Sequence, residues 1–299
     1  MNKFLVALVA AAASAAAFAG GGDLKYTIAV ARFNSQTNWR GQWDISEAWG
    51  SVLSDQLAKS GRFVVLGDVD LRGIAPSDQD LAAAGRIAGD KKTAKAGRLP
   101  SAQLLVKGAV THVKETKGVG GDFGFKGLSI GVDGGSAEIN VTVCVVDAAT
   151  GQAKGTKSIT GRSGKKGTSP GSGGTSPGGY VGSLPGFDKS NMGQAASDAA
   201  SQAVQYIVSQ LDSTPWEGSV ALAKADKLVV NRGVREGVSV GVKFDVGNIE
   251  EVVDEDTGEV LDREMSKVGT VTVTEVKEKV SYTTPLDGAE KGMGVRLAK

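Results

Sequence analysis

The chain is poor in the residues on which most metal and redox sites depend. Its 299 residues include one cysteine, Cys144, and one histidine, His112, and only 5% are aromatic. A single cysteine excludes an intrachain disulfide, and one cysteine with one histidine cannot supply the ligands of a zinc site. The sequence therefore predicts neither a disulfide framework nor zinc chemistry.

Net charge is also nearly absent, which bears on the partners to expect. The chain has 34 basic and 33 acidic residues, a formal charge of +1, so no overall field draws it to nucleic acid or anionic lipid. One basic cluster, Arg162 with Lys165 and Lys166, has no aromatic residue between its members on which bases could stack. We expect no nucleic-acid partner.

No catalytic constellation can be assembled from the sequence. His112 lies in a predicted strand without a recognisable nucleophile or orienting carboxylate, and we expect a partly buried structural histidine. The acidic residues Asp254, Asp256 and Glu259 resemble part of a calcium loop. However, the glycine of this stretch is one residue too early, and no glutamate stands at the closing position of such a loop. A hairpin turn explains these residues better. We predict a protein that is not an enzyme and that has no cofactor and no metal.

The first 19 residues are typical of a secretory signal. They start with Lys3 near the terminus, continue through a mostly alanine apolar stretch and end in Ala17-Phe18-Ala19. No stop-transfer pattern follows, so we expect export and cleavage rather than a retained anchor. No cysteine lies near Gly20, so the usual bacterial lipid attachment is not expected.

Residues 20–213 show strand and helix patterns in alternation, typical of an α/β sheet domain. Asp44 is a helix cap, an apolar stripe follows it at helical spacing, and Gly61 fits the end of that helix. Strands are predicted at 24–33, 62–66 and 103–113. A first helix is predicted between Asp44 and Gly61, and further helices at 77–88 and 191–211.

Two extended hairpins interrupt this alternation. The first pairs a glycine-rich strand at 123–132 with residues 139–145, and the second turns at 147–151 into 154–160. Residues 161–186 consist largely of Gly, Ser, Pro and Lys, so we expect a flexible insert.

From residue 214 onward the pattern changes to short strands and turns, which predicts a separate small all-β, barrel-like domain at 214–299. Arg235-Glu236-Gly237 and Asp256-Thr257-Gly258 are predicted hairpin turns. Strands are expected at 219–222, 227–230, 243–246, 250–253, 259–261, 267–277 and 294–297. The predicted fold class is α+β: a three-helix α/β sheet domain with extended β-hairpins, followed by this barrel-like domain.

The order of elements resembles the CsgG/HfaB family of curli production and transport components. The similarity covers about residues 24–211 and is carried by several short stretches: SGRFVVL at 60–66, LVKG at 105–108, a Gly-rich run at 118–135, INVTVCVVD at 139–147 and Thr150-Gly151. The resemblance implies an oligomeric outer-membrane channel in which each subunit contributes two hairpins to a shared barrel.

In that family the loop between the first strand and first helix narrows the pore, which here is residues 34–43. The candidate constriction residues are Asn38, Trp39, Arg40, Gln42 and Trp43. The alternative is a solvent-facing loop whose two tryptophans pack on the domain. Truncation of a packed tryptophan should cost about 3 kcal/mol or more, whereas truncation of a pore-lining one should widen the opening at little cost in stability.

The membrane hairpins implied by the resemblance need strands of roughly nine to eleven residues with apolar side chains at alternate positions. The first hairpin nearly satisfies this, with candidates Phe123, Phe125, Leu128, Ile130, Val132, Ile139 and Val141. The position of the second, residues 157–189, shows little such alternation.

The C-terminal domain resembles the small β domain that ends the flagellar protein FlgT. Val230-Asn231-Arg232-Gly233, the run GVSVG at 237–241 and VGTVTV at 268–273 carry this similarity. Two functions follow as hypotheses: a homo-oligomeric outer-membrane channel for exported polypeptides, or a soluble periplasmic scaffold that binds other envelope proteins.

Overall fold

The computed structural model describes residues 24–66, 102–116, 135–163 and 186–298. The expected signal at 1–19, the expected helix at 77–88, the candidates Phe123, Phe125, Leu128, Ile130 and Val132, and all but the ends of the expected insert lie outside these residues.

The first sheet is mixed, and its main strands are β1 (Tyr26–Val30), β3 (Phe63–Leu66), β4 (Leu104–Thr116), β5 (Ser136–Asp147) and β6 (Ala153–Arg162). Their order across the sheet is β3-β1-β4-β5-β6. β1 pairs in parallel with β3 and β4, while β4, β5 and β6 form an antiparallel series. A two-residue strand, β2 (Asn34–Ser35), adds in parallel to β4.

Two helices pack with this sheet around one core: α1 (Ile45–Lys59) and α2 (Asn191–Ser209). Asp44 caps α1 as predicted, because its carboxylate accepts from the amides of Ser46 and Glu47. Gly61 follows the helix with φ 70°. None of the helices in the described part of the chain is long and apolar enough to cross a membrane.

Close packing in this core depends on small residues. The buried face of α2 is mostly alanine, with Ala195, Ala199 and Ala203 fully buried. A Cβ at Gly161 of β6 would lie 2.1 Å from the carbonyl oxygen of Ala195. The helix therefore sits directly on the backbone of the strand.

The second sheet is the predicted barrel-like domain, with its own hydrophobic core. Its strands are β7 (Glu217–Lys224), β8 (Lys227–Val230), β9 (Lys243–Val253), β10 (Val260–Val276), β11 (Ser281–Thr283) and β12 (Gly294–Leu297). They pair in the closed order β10-β11-β8-β7-β12-β9. The α+β fold class is confirmed.

Several details of the strand prediction are wrong. The expected pairs of short strands at 243–253 and 259–277 are two continuous strands, β9 and β10, and β11 was not predicted. Arg235-Glu236-Gly237 is no hairpin turn: Val234–Glu236 is a 3-10 turn between β8 and β9, which do not pair with each other. The turn at Asp256-Thr257-Gly258 does join the paired strands β9 and β10.

The insert was expected to start at Gly161, and this boundary is wrong. Strand β6 continues through Gly161 to Arg162. Gly161 is buried against α2, and the amide of Arg162 donates to the carboxylate of Asp198 at 3.0 Å. These contacts hold the end of the strand in place despite its glycine-rich sequence.

Candidate functional site

The first half of the loop at 34–43 is joined to the sheet by backbone hydrogen bonds. Asn34 and Ser35 pair with Ala109 and Val110, and the amide of Gln36 donates to the carbonyl oxygen of Val110 at 2.9 Å. Just before the loop, Phe33 is buried edge-on to Trp49 of α1, with ring centroids 6.0 Å apart. The loop therefore leaves the domain from a fixed position.

The second half of the loop folds back onto the domain through its two tryptophans. Both are half-buried against the core, and the indole N–H of Trp39 donates to the carbonyl oxygen of Trp43 at 3.3 Å. Trp43 lies edge-on to the fully buried Phe187, with centroids 5.0 Å apart. A Cβ at Gly41 would lie 2.0 Å from the Trp39 ring, so a side chain at this position would displace the indole.

The remaining constriction candidates, Asn38, Arg40 and Gln42, are exposed. At the base of the loop, Arg32 forms an ion pair with Asp44 at 3.5 Å, between two exposed side chains. The single chain thus shows a loop whose indoles pack inward and whose polar side chains point to solvent. A channel-lining role for these five residues stays a prediction.

Two membrane-hairpin candidates occupy a different position from the one expected. Ile139 and Val141 on β5 are 0% and 1% exposed and belong to the core of the α/β domain. Their side chains face α2, so they do not face lipid in this structure. The alternation that suggested a membrane strand arises because the other face of β5 carries Glu138, Asn140 and Thr142.

His112 is exposed, not partly buried as expected. A register shift between Val110 and His112 on β4 interrupts the pairing with β5 and ends the run of buried residues. Within the described ranges, no group of three or more His, Cys, Asp or Glu side chains is placed to hold a metal ion.

The junction between the two domains is built around the segment that leads into β1. Leu24 is buried in the barrel core, and the amide of Lys25 donates to the carbonyl oxygen of Glu236 at 2.9 Å. The indole N–H of Trp216 donates to the carbonyl oxygen of Lys25 at 3.1 Å. The first strand of the α/β domain is therefore tied to the barrel before it enters its own sheet.

Tyr26 adds a contact from the α/β side. Its hydroxyl donates to the carbonyl oxygen of Thr214 at 2.9 Å, across the start of the barrel domain. Burial raises the pKa of the Tyr26 phenol above its ordinary value of 10.0, so the hydroxyl keeps its proton and stays a donor at neutral pH.

Beside this junction is a polar cleft of about 340 Å³ lined by both domains. Glu217 accepts from Arg263 at 3.0 Å and from Nε of Arg296 at 2.9 Å. Burial lowers the pKa of Arg232, which lines the same cleft. The carboxylate of Glu236 is fully buried and accepts from the amide of Gly233 at 2.9 Å.

Sequence reasoning did not find these charged residues. Their partners are up to 79 positions apart, and no local spacing marks them. Only Arg296 lies inside a predicted strand, so the sequence contains almost no local signal for this group.

Comparison with known proteins identifies the family. The model of the family described as "Curli production assembly/transport component CsgG" matches residues 11–239, more than three quarters of the chain. The chain therefore belongs to this family. The match ends between β8 and β9, so most of the barrel-like domain lies outside it. No curated protein matches the chain significantly.

Similar solved structures include the hypothetical protein CT253 of Chlamydia trachomatis, with 15% identity over 64% of this chain and 100% of that chain and a TM-score of 0.37. A PelC dodecamer from Paraburkholderia phytofirmans has 15% identity over 46% of this chain and 71% of that chain, with a TM-score of 0.27. The LpoB C-terminal domain from Salmonella enterica has 12% identity over 47% of this chain and 84% of that chain, with a TM-score of 0.25. Since all three TM-scores are low, family membership rests on the family model.

Proposed function

We propose that this protein is a non-enzymatic envelope component that assembles into an oligomeric channel for polypeptide export. Membership of the family of curli production assembly and transport components carries the proposal, because the match includes the whole described α/β domain. The partners are other copies of the chain, exported polypeptides or other envelope proteins. Residues 1–19 direct export, and the location is the outer membrane or the periplasm.

In this proposal the loop at 34–43 forms the constriction, and its tryptophans and its polar residues have different roles. Trp39 and Trp43 hold the loop on the core, while Asn38, Arg40 and Gln42 are exposed and free to line an opening. Arg40 is the one charged member of the five, so it would give the opening a positive potential and favour anions.

Planar-bilayer recordings of the detergent-extracted protein test this assignment. Arg40→Glu should move the reversal potential in a salt gradient towards cation selectivity. The matched control, Lys279→Glu, makes the same charge reversal in an exposed barrel turn and should leave selectivity unchanged. A protein that is monomeric in detergent and fully soluble without it would overturn the channel proposal.

The second candidate is a soluble periplasmic scaffold. It is favoured by Ile139 and Val141, which belong to a protein core instead of a lipid-facing strand, and by a barrel-like domain that lies mostly outside the family match. The similarity of this domain to the end of FlgT stays a prediction. Fractionation of native cells separates the two candidates, because only the channel should remain with the membrane after a high-salt wash.

A further inference from the structure

Beyond the closed part of the barrel, β9 and β10 extend as a two-stranded arm, residues 248–266. The pairing of β9 with β12 ends at Gly247, and the pairing of β10 with β11 begins only at Val273. Within the described ranges, the arm strands therefore pair only with each other. A two-stranded ribbon is marginally stable in water, and its open edges are places where another strand can add.

The arm is strongly acidic although the chain is nearly neutral. Residues 248–266 contain eight carboxylates and one arginine, a net charge of −7, whereas the whole chain carries +1, so the remainder carries +8. Among the described residues, only Glu251 of these eight forms an ion pair, with Arg263 at 3.3 Å. The arm also exposes three large apolar side chains, Val252 at 48%, Val253 at 45% and Leu261 at 57%.

Two of the carboxylates oppose each other directly. Glu250 on β9 pairs across the ribbon with Glu264 on β10, and both are exposed. Like charges at directly opposed positions destabilise a sheet. The opposed pair of glutamates weakens the isolated arm. A positively charged surface that covers the arm would remove this repulsion, and this would explain why the pair is present.

One edge of the arm is already occupied within the chain. On β10, the carbonyl oxygen of Val260 accepts from the side-chain amide of Gln152, and that of Arg263 accepts from Arg296. On the β9 side, no backbone partner other than β10 is found for residues 248–253 among the described residues. The free edge is therefore that of β9.

The complementary edge is β6, the outermost strand of the first sheet. It contains Lys154, Lys157 and Arg162 and no acidic residue. Lys154 and Arg162 already form ion pairs with Asp147 and Glu138 of β5, at 3.7 and 2.7 Å. Among the described residues Lys157 forms no ion pair, so it is the cation of this edge that is available to a partner.

The carbonyl oxygen of Thr160 accepts a hydrogen bond from a side chain of α2, and the amide of Arg162 donates one to another. In an antiparallel pair, the backbone groups of successive residues point alternately towards the partner strand and away from it. The even-numbered residues of β6 therefore point their backbone groups away from β5. By this parity the backbone groups of Thr156 and Ser158 also point outward, and both residues are exposed.

We propose that the free β9 edge of the arm of one copy adds to the basic β6 edge of a second copy, a head-to-tail contact that can close into a ring. Among the described residues, the β9 edge at 248–253 and the β6 edge at 154–158 have no backbone partner on their outer side. Both stretches are about five to six residues long, and their charges are opposite. The inference rests on the proposed assembly of the chain, and it names the contact that would build it.

The test measures self-association of the full mature chain by sedimentation velocity across a concentration and salt series. Glu250→Lys should weaken association about tenfold or more, because it places a positive charge against the basic β6. The same change should raise the melting temperature, because the introduced ammonium group then opposes the carboxylate of Glu264. Loss of association in this variant is thus separated from loss of folding. Glu278→Lys, an equal charge change in the exposed β10–β11 turn, is the matched control.

Two further variants test the β6 side. Thr156→Pro removes an outward amide and should prevent strand addition with little effect on the sheet, since that amide does not pair with β5. Lys157→Glu should weaken association, and combining it with Glu250→Lys should restore it. If the arm and β6 variants associate as the wild type does, the contact is wrong and the channel proposal is unaffected. If the wild type stays monomeric in both buffer and detergent, both proposals fail.

Discussion

Trp43 shows how single side chains hold the candidate loop in place. Its ring lies half-buried against Phe187 and the core, and its carbonyl oxygen accepts from Trp39. The sequence offered two interpretations of these tryptophans, and the single chain shows the packed arrangement. Packing does not conflict with a constriction, because the neighbouring polar residues remain exposed.

Trp43→Ala should therefore lower the free energy of unfolding by about 2 kcal/mol, roughly half of the cost for a fully buried tryptophan. Gln42→Ala, next to it but exposed, should change it by less than about 0.5 kcal/mol. Urea denaturation of both variants measures the difference. Equal stability of the two would show that the indole adds nothing to the core.

Among the secondary-structure elements, the contact of α2 with β6 depends on the absence of side chains. The buried alanines of α2 and Gly161 of β6 let the helix backbone approach the strand backbone, with no room for a Cβ at Gly161. The sequence contained the alanines at helical spacing, but the matching glycine was assigned to a flexible insert.

Gly161→Ala should destabilise the protein by about 1–3 kcal/mol, because the added methyl forces α2 away from the sheet. Gly50 offers a matched control inside α1, where a Cβ would meet nothing within 4 Å. Gly50→Ala should instead stabilise by about 0.5–1 kcal/mol through helix propensity. Thermal unfolding compares the two, and a neutral Gly161→Ala would mean that the helix can shift freely.

For the molecule as a whole, the junction decides whether the two domains behave as one body. Trp216 stacks on Phe244 in the barrel core, with centroids 5.4 Å apart and planes at 12°, and its indole also binds the carbonyl oxygen of Lys25. The same side chain thus serves the barrel core and the tie to the first strand of the other domain.

Trp216→Phe keeps an aromatic ring against Phe244 but removes the N–H donor, so it should cost about 1 kcal/mol and weaken the coupling of the domains. Trp216→Ala should cost about 3–5 kcal/mol and unfold the barrel first. Differential scanning calorimetry should show one transition for the wild type and two for the alanine variant. A single, unshifted transition in both variants would argue that the domains are coupled elsewhere.

Local patterns were sufficient for much of this fold. The cap at Asp44, the helix end at Gly61, the hairpin turn at Asp256-Thr257-Gly258 and the all-β character of the C-terminal region were predicted because each depends on neighbouring residues. The element order also resembled the family that the comparison confirmed.

The tertiary structure decided what depends on distant residues. Alternation along β5 showed that one face is apolar, but only the position of α2 shows that Ile139 and Val141 face a protein core. The pairing of Glu217 with Arg263 and Arg296 joins strands far apart in the chain. The acidic composition of residues 248–266 was visible from the start, but their open edge follows from where β12 stops pairing. Burial and edge exposure are properties of what packs against a strand, and a strand's own sequence does not contain its neighbours.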